Sequence, residues 1–447
     1  MLSFSLIRRG PSDNVYAMHP LVHTWGRDRL TLNEMKKCCL MAYVTLSCSL
    51  RWDADQPYGF QRTLVTHVRA NMEHFKSKGN QNTVSYIDDA YAKFGVLLQE
   101  QGYSKEAETL QSKVLDARKR IFGMEHPHTI NAIANLAVSY CSLGKYTESE
   151  KLGIQVVDAK KRILGVEHPD TLDTMAILAA TYCSLGKYTE SEKLEIQVLD
   201  SRKRILGVEH PKTIFAMGNL AATYHSLEKY RESEKLGIQV LDARKKILGE
   251  EHPDTINAMG NLAMTYRDLG NYTESEKMGI QVLDARKRIL GVEHPNTITA
   301  MGNLAMIYSD LGKYTESEKL GIQILDLRKR ILGAEHPDTI FSMGNLASTY
   351  HSMGKYTESV KLGTQVLDER NRILGVQHPH TILAMENLAA TLTYLGEFKE
   401  AEKLVIQAQE GKSRVLGETS HCVNATMANV QEAQKTSTMN SDKSGMY

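Results

Sequence analysis

A His-Pro pair stands at His126, His168, His210, His252, His294, His336 and His378, each 42 residues from the next. This fixed period constrains the chain more than any other feature. A repeat of this length is one supersecondary unit, copied and stacked so that each copy buries its apolar face on its neighbours. The intervening segments are close to identical. Gly-Lys-Tyr-Thr-Glu-Ser begins at Gly144 and returns at Gly186, Gly312 and Gly354, with Gly-Asn-Tyr-Thr-Glu-Ser at Gly270. Val-Leu-Asp-Ala-Arg-Lys-Arg-Ile begins at Val114 and again at Val282. An array of this kind makes an extended surface, which suits binding better than catalysis.

Each unit reads as two helices. Between Asp254 and Pro295 the first apolar series is Ile256, Met259, Leu262, Ala263, Tyr266 and Leu269, in steps of three and four. That spacing lines one face of an amphipathic helix. Gly270 stops it. After Tyr272 a second series runs through Met278, Ile280, Val282, Leu283, Ile289 and Leu290, and Gly291 closes it. Pro253 falls in the first helical turn, where proline is best tolerated, and Asp254 meets the positive end of the helix dipole. Asp284 and Arg288 stand at the spacing of a supporting ion pair on the polar face. No alternation of the kind that marks a strand occurs in the repeats.

The string Asn-Leu-Ala-x-x-Tyr-x-x-Leu-Gly-x-Tyr-x-Glu-Ser resembles the tetratricopeptide repeat, in the 42-residue form of kinesin light chains and many fungal repeat proteins. In one unit the matching residues are Ala263, Tyr266, Gly270, Tyr272 and Ser275. Small Ala263 and Ser275 let helices approach, and the two tyrosines fill the gaps. The resemblance implies an all-α fold, a right-handed αα superhelix of about eight helix pairs over residues 85–417. The first unit is degenerate (Ala90, Phe94, Gly95, Leu98, Gly102), and the last drifts to Glu397-Phe398-Lys399-Glu400-Ala401.

The first 80 residues lie outside the period. Leu2 to Ile7 alternates like a strand, Gly10 to Asn14 is a turn, and Val15 to Met18 can return as a second strand. His19 to Leu30 follows as an amphipathic helix carrying Leu21, Val22, Trp25 and Leu30. This string resembles the last hairpin and helix of the NB-ARC winged-helix region in fungal nucleotide-binding receptor-like proteins. Trp52 and the Leu64 to Val68 segment look like the helical spacer of those proteins. The expected organisation is a winged-helix-like remnant or helical cap over 1–30, a helical spacer over 31–84, and eight repeats over 85–417. A capping helix over 418–434, centred on Cys422 to Ala433, covers the last unit, and a disordered tail follows from Lys435.

Composition narrows the function. With 54 basic and 53 acidic residues the net charge is +1, which gives no field for steering nucleic acid. No apolar run reaches the length of a membrane span, and the N-terminus lacks a signal-peptide core. Six cysteines without metal spacing fit a reducing compartment, and the cytoplasm is the expected location. Gly144-Lys145-Tyr146 and its copies follow a helix and lack the earlier glycine of a phosphate loop, so no ATPase is expected. The His-Pro histidines fall one per unit and cannot converge on zinc at about 2 Å. No cofactor, metal or catalytic residue is predicted, and the chain reads as non-enzymatic.

Differences among the copies point to a binding face. Within a unit the second helix hardly changes, whereas the first varies in three columns. The first column is Asn131, Asp173, Phe215, Asn257, Thr299, Phe341 and Leu383. The second includes Met264 and Met306, and the third His225, Arg267 and His351. Offsets of seven and ten place all three on one stripe. Relaxed solvent exposure would have loosened the second helix equally. The family resemblance implies that this stripe lines the concave groove where a peptide lies. One column is constant: Asn135, Asn219, Asn261, Asn303, Asn345 and Asn387, with Ile177 as the exception. In related repeats an asparagine here bonds the main chain of the bound peptide, using both donor and acceptor. A bond to the neighbouring helix is the equal alternative. Arg267 is the sole cation in the variable columns, so a clamp for a terminal carboxylate is not expected. Gly218, Gly260, Gly302 and Gly344 leave room for bulky partner side chains. The expected partner is a protein or peptide, with no nucleic acid and no membrane. The favoured function is the repeat sensor of an NB-ARC receptor-like protein. The alternatives are a kinesin-light-chain-like cargo adaptor and a regulatory subunit of an enzyme.

Overall fold

The computed structural model describes residues 7–9, 16–18, 29–49, 64–69 and 85–416. It forms two compact units, Met1–Val208 and Glu209–Tyr447. Eight pairs of antiparallel helices, termed A and B, make up the repeats. Repeats one to three lie in the first unit: Ser85–Glu100 with Ser104–Phe122, Pro127–Ser142 with Tyr146–Leu164, and Pro169–Ser184 with Tyr188–Leu206. Repeats four to six in the second are Pro211–Ser226 with Tyr230–Leu248, Pro253–Asp268 with Tyr272–Leu290, and Pro295–Asp310 with Tyr314–Leu332. Repeats seven and eight are Pro337–Ser352 with Tyr356–Leu374 and Pro379–Leu395 with Phe398–Leu416. Within each unit every helix packs on the helices before and after it in the chain.

The His-Pro pair starts helix A. Proline takes the first turn, where its missing N–H costs nothing, and the histidine before it is the N-cap. Its Nδ1 accepts from the backbone N–H two residues on, at 3.1 Å in His252 and His294 and 3.2 Å in His168 and His336. The ring thus does what a Ser or Asp usually does at this position. The A-to-B turn is equally constant. Gly270 adopts φ 80°, which lets Asn271 N–H reach Tyr266 O at 2.8 Å. In repeat four the same turn carries Glu228 at φ 59°, the one non-glycine with positive φ among the described residues.

The core is built where small residues meet. Ser275 on helix B is buried and its hydroxyl donates to Ala263 O at 2.7 Å, so this position is chosen for a bond as well as for size. Four residues on, Gly279 lies so close to the next helix A that a Cβ would stand 3.1 Å from Leu304 Cδ1. Ile256, Leu262, Ala263, Val282 and Leu283 are buried as expected. Ile280, Ile289 and Leu290 are not, at 38%, 41% and 37% exposure. The buried face of this helix B follows Ser275, Gly279, Val282 and Leu283, which turns those three outward. The expected pair Asp284–Arg288 is also replaced. Arg288 reaches Glu251 at 2.6 Å, since its long side chain spans the gap to the link before helix A. Consecutive repeats are laced by Lys187–Glu150, Lys313–Glu276 and Lys355–Glu318 at 2.7, 2.6 and 2.9 Å. These pairs are partly exposed and each contributes at most about 1 kcal/mol.

At the N-terminus β1 (Ile7–Arg9) and β2 (Tyr16–Met18) pair antiparallel, with Ile7 opposite Met18. Helix α1 (Leu32–Ser49) begins at a capping box, in which Thr31 N–H and hydroxyl donate to Glu34 Oε2 at 2.9 and 2.7 Å. These bonds hold the Glu34 carboxyl below its ordinary range. Residues 64–69 are helical, and Leu64, Val65 and Val68 bury against Phe94, Leu97 and Leu98 of repeat one. The expected strand residues before Ile7, the turn Gly10 to Asn14, Val15, the helix from His19 and Trp52 lie outside the described residues. So do the helix over Cys422 to Ala433 and the tail from Lys435. No described helix is long and apolar enough to cross a membrane. Among the described residues no group of three His, Cys, Asp or Glu could hold a metal ion.

Candidate functional site

The constant asparagines follow helix A on the open side of each repeat. Asn261, Asn345 and Asn387 are exposed, and Asn135, Asn219 and Asn303 half-buried. None of these six amides has a hydrogen-bond partner among the described residues; only their backbone carbonyls are used, as in Thr265 Oγ1 to Asn261 O at 3.2 Å. The neighbouring helix therefore does not take them.

The three variable columns differ in kind. Phe215 and Phe341 project outward at 55% and 54% exposure, with Asn257 and Thr299 also exposed. Met306 is exposed and Met264 half-buried. The third column is half-buried in every repeat and looks toward the following helix A. His225 Nε2 lies 2.8 Å from Asp268 Oδ2, in ion-pair range but without hydrogen-bond alignment. Arg267 pairs with Asp310, and His351 Nδ1 lies 3.1 Å from Thr391 Oγ1. Burial holds the His351 imidazole below its ordinary value. This column belongs to the contact between repeats as much as to the open face.

Besides a smaller cavity lined by Asp338, Phe341 and Arg370, two cavities of the second unit open on the asparagines of the stripe. One, of about 440 Å³, lies between repeats four and five and is lined by Asn219, His225, Asn261 and Met264. The other, of about 280 Å³, lies between repeats seven and eight and is lined by Phe341, Asn345, His351 and Asn387. Gly218 and Gly344 form part of the walls, and a Cβ there would meet only ordinary contacts near 4 Å. Asn303, Thr299, Met306, Asn257, Phe215 and Arg267 line neither cavity.

Cations do reach this face, and they come from helix B. Arg244 lines the first cavity and Arg370 the second. They belong to a column at the 42-residue period: Arg118, Lys160, Arg202, Arg244, Arg286, Arg328, Arg370 and Lys412. Arg244, Arg286, Arg328 and Arg370 each donate from Nη1 to a carbonyl in the first turn of the next helix A, at 2.7 to 2.8 Å. Partial burial lowers the proton affinity of the Arg286 and Arg370 guanidinium groups. The variable columns of helix A hold Arg267 as their sole cation; the 42-residue period on helix B is the signal in the sequence that marks these others.

The sequence signature of the tetratricopeptide repeat matches residues 129–204, 174–246, 218–287, 254–315, 299–368 and 343–414, and a second form of it matches 89–128. No curated protein matches the chain. Among solved structures, a putative kinesin light chain from Podosopora anserina with nearly identical TPR-like repeats is 27% identical. The match covers 47% of this chain and 100% of that one, with a TM-score of 0.42. A signal-transduction ATPase with numerous domains from Pyrococcus horikoshii, carrying a tetratricopeptide repeat sensor, is 14% identical, with a TM-score of 0.55. There the match covers 96% of this chain and 59% of the other. A Rap protein complexed with competence and sporulation factor is 11% identical over 78% of this chain and 98% of that one, at a TM-score of 0.50.

Proposed function

We propose, from the premise that this chain belongs to the tetratricopeptide repeat family, that it binds an extended segment of a partner protein along its A helices. The fold is that of a protein-interaction scaffold, and the family signature that matches is that of a repeat. The observation that carries the reading is the row of asparagine amides, repeated at one position and without a partner among the described residues. An amide offers a donor and an acceptor, which is what each residue of an extended main chain requires. The amides are exposed or half-buried and so stand within reach of a partner from outside. The cavities beside Asn219 and Asn261, and beside Asn345 and Asn387, would receive side chains of the same segment.

The chain would act as the sensor of a larger NB-ARC-type receptor, with residues 1–30 as the end of a winged helix, 31–84 as a spacer and 85–417 as the repeats. The helical residues 64–69 packed on repeat one support this order, as does the likeness to a signal-transduction ATPase that carries a tetratricopeptide repeat sensor. The test is a peptide array of end-blocked 15-residue sequences probed with the full chain. Retention of a defined subset, lost when Asn261, Asn303 and Asn345 become alanine, is the expected result. Retention of no peptide, or indifference to the asparagines, would refute the reading.

A further inference from the structure

We infer that the cavities beside Arg244 and Arg370 are receptors for acidic side chains of the bound segment, one carboxylate in each. This rests on the groove reading above and adds the chemical class of the partner.

The inference comes from what differs along the helix B cation column. In most repeats a side chain already occupies the cation. Asp89 meets Arg118 at 3.4 Å, Asp173 meets Arg202 at 2.5 Å, and Asn257 Oδ1 accepts from Arg286 at 2.8 Å. Each of these acceptors stands 29 residues before its cation, in the first variable column of helix A. Where that column has Thr299 or Leu383, another acceptor serves: Ser342 for Arg328 at 2.8 Å and Glu386 for Lys412 at 2.6 Å. Lys160 lies in the field of Asp170 and Asp173.

Repeats four and seven break the pattern. Their first-column residues are Phe215 and Phe341, which offer no acceptor. Among the described residues Arg244 bonds only Asp254 O at 2.8 Å, and Arg370 only His380 O at 2.7 Å. One Nη of each guanidinium is thereby fixed, and its other donors have no partner among the described residues. Nη2 of each stands 3.8 and 4.0 Å from where a Cβ on Gly218 or Gly344 would be, so glycine leaves the approach clear. No carboxylate lines either cavity. A planar guanidinium held by one bond, in a cavity also lined by asparagine amides that have no partner among the described residues, presents the fork that a carboxylate fills with two hydrogen bonds. The two sites share Phe, Gly, Asn, His and Arg at matching positions, 126 residues or three repeats apart. The partner is therefore a segment with two separated Asp or Glu side chains.

The experiment uses the full chain on the same peptide array, followed by titration of retained peptides and of versions in which each Asp or Glu is amidated. Retained peptides should be enriched in acidic residues, and amidating one critical acid should weaken binding on the order of tenfold or more. The variant F215D/F341D supplies an internal acceptor, as Asp173 does for Arg202. It should lose more affinity for the acidic peptide than for its amidated version, so that amidation costs less than in wild type, a coupling that general damage to the groove would not produce. Both phenylalanines are exposed, so the melting curve should not move; R244Q/R370Q is the second variant and should show the same coupling, whatever the loss of its bonds to Asp254 O and His380 O does to the melt. Retained peptides without acidic enrichment would overturn this inference and leave the groove reading standing. So would acidic peptides whose amidation costs the same in wild type and F215D/F341D. Retention of no peptide would overturn both.

Discussion

Replacing Asn261, Asn303 and Asn345 together by alanine should move stability and affinity in opposite directions. None of the three amides has a hydrogen-bond partner among the described residues, so their removal breaks no internal bond. Asparagine is up to about 0.7 kcal/mol worse than alanine in a helix interior, so three substitutions should stabilise the protein by about 1–2 kcal/mol. A unit of this size gains roughly 2–4 °C in Tm per kcal/mol, which a thermal melt followed by circular dichroism resolves. Binding should change the other way. Three neutral hydrogen bonds, each contributing about 0.5–1.5 kcal/mol net, amount to one to three orders of magnitude in Kd. The assay is a melt and a fluorescence titration on one preparation, with a peptide retained by the wild-type array. A lowered Tm with unchanged affinity would refute the reasoning, because it would mean that the amides serve the fold.

Five further substitutions, at four positions, test the construction of the repeat. Glu228→Gly should stabilise by about 0.5–1 kcal/mol in a denaturant titration, since relief of a left-handed non-glycine outweighs the added freedom of the unfolded chain; a loss of stability would contradict this. Gly302→Ala should stabilise by about 1 kcal/mol, because a Cβ there meets nothing within 4 Å. Gly321→Ala should destabilise, because the same Cβ would stand 3.0 Å from Leu346 Cδ1; equal effects at the two positions would argue against close helix approach on helix B. His294→Ala should cost about 1 kcal/mol and His294→Asn much less, if capping is the role of this ring; equal melting points for the two would refute that role.

The repeat was legible because its signals are local. Period, helix faces and turn glycines are all written within 42 consecutive residues, and each corresponds to an element of the fold. What escaped was set by neighbours far away in the chain. Ile280, Ile289 and Leu290 look apolar on a helical wheel, yet the packed face is fixed by Ser275 and Gly279, which meet other helices. Arg288 was paired four residues back, whereas its partner Glu251 lies 37 residues away. The site divides in the same manner. The asparagine row can be read from helix A alone, whereas the lack of a bond from its amides to the neighbouring helix is visible only once the helices are packed. The cations were missed because they arrive from helix B, 29 residues beyond the column that decides whether they are occupied.

Because the copies are alike, each bond between repeats has a constant offset in sequence: 37 residues for Lys313–Glu276 and Lys355–Glu318, 32 for Ser233–Thr265 and Ser359–Thr391. Excising 42 residues between Arg244 and Arg370 would rejoin groups of the same kinds at the same offsets, so no new interface would have to be invented. Recombination between near-identical segments can thus add or delete whole units and leave each cavity as it was. What changes is the number of units separating the two guanidinium groups. If the array binds as proposed, the chemistry of recognition would reside in side chains, whereas the spacing it measures would be recorded as copy number, a quantity that a lineage can revise in one genetic event.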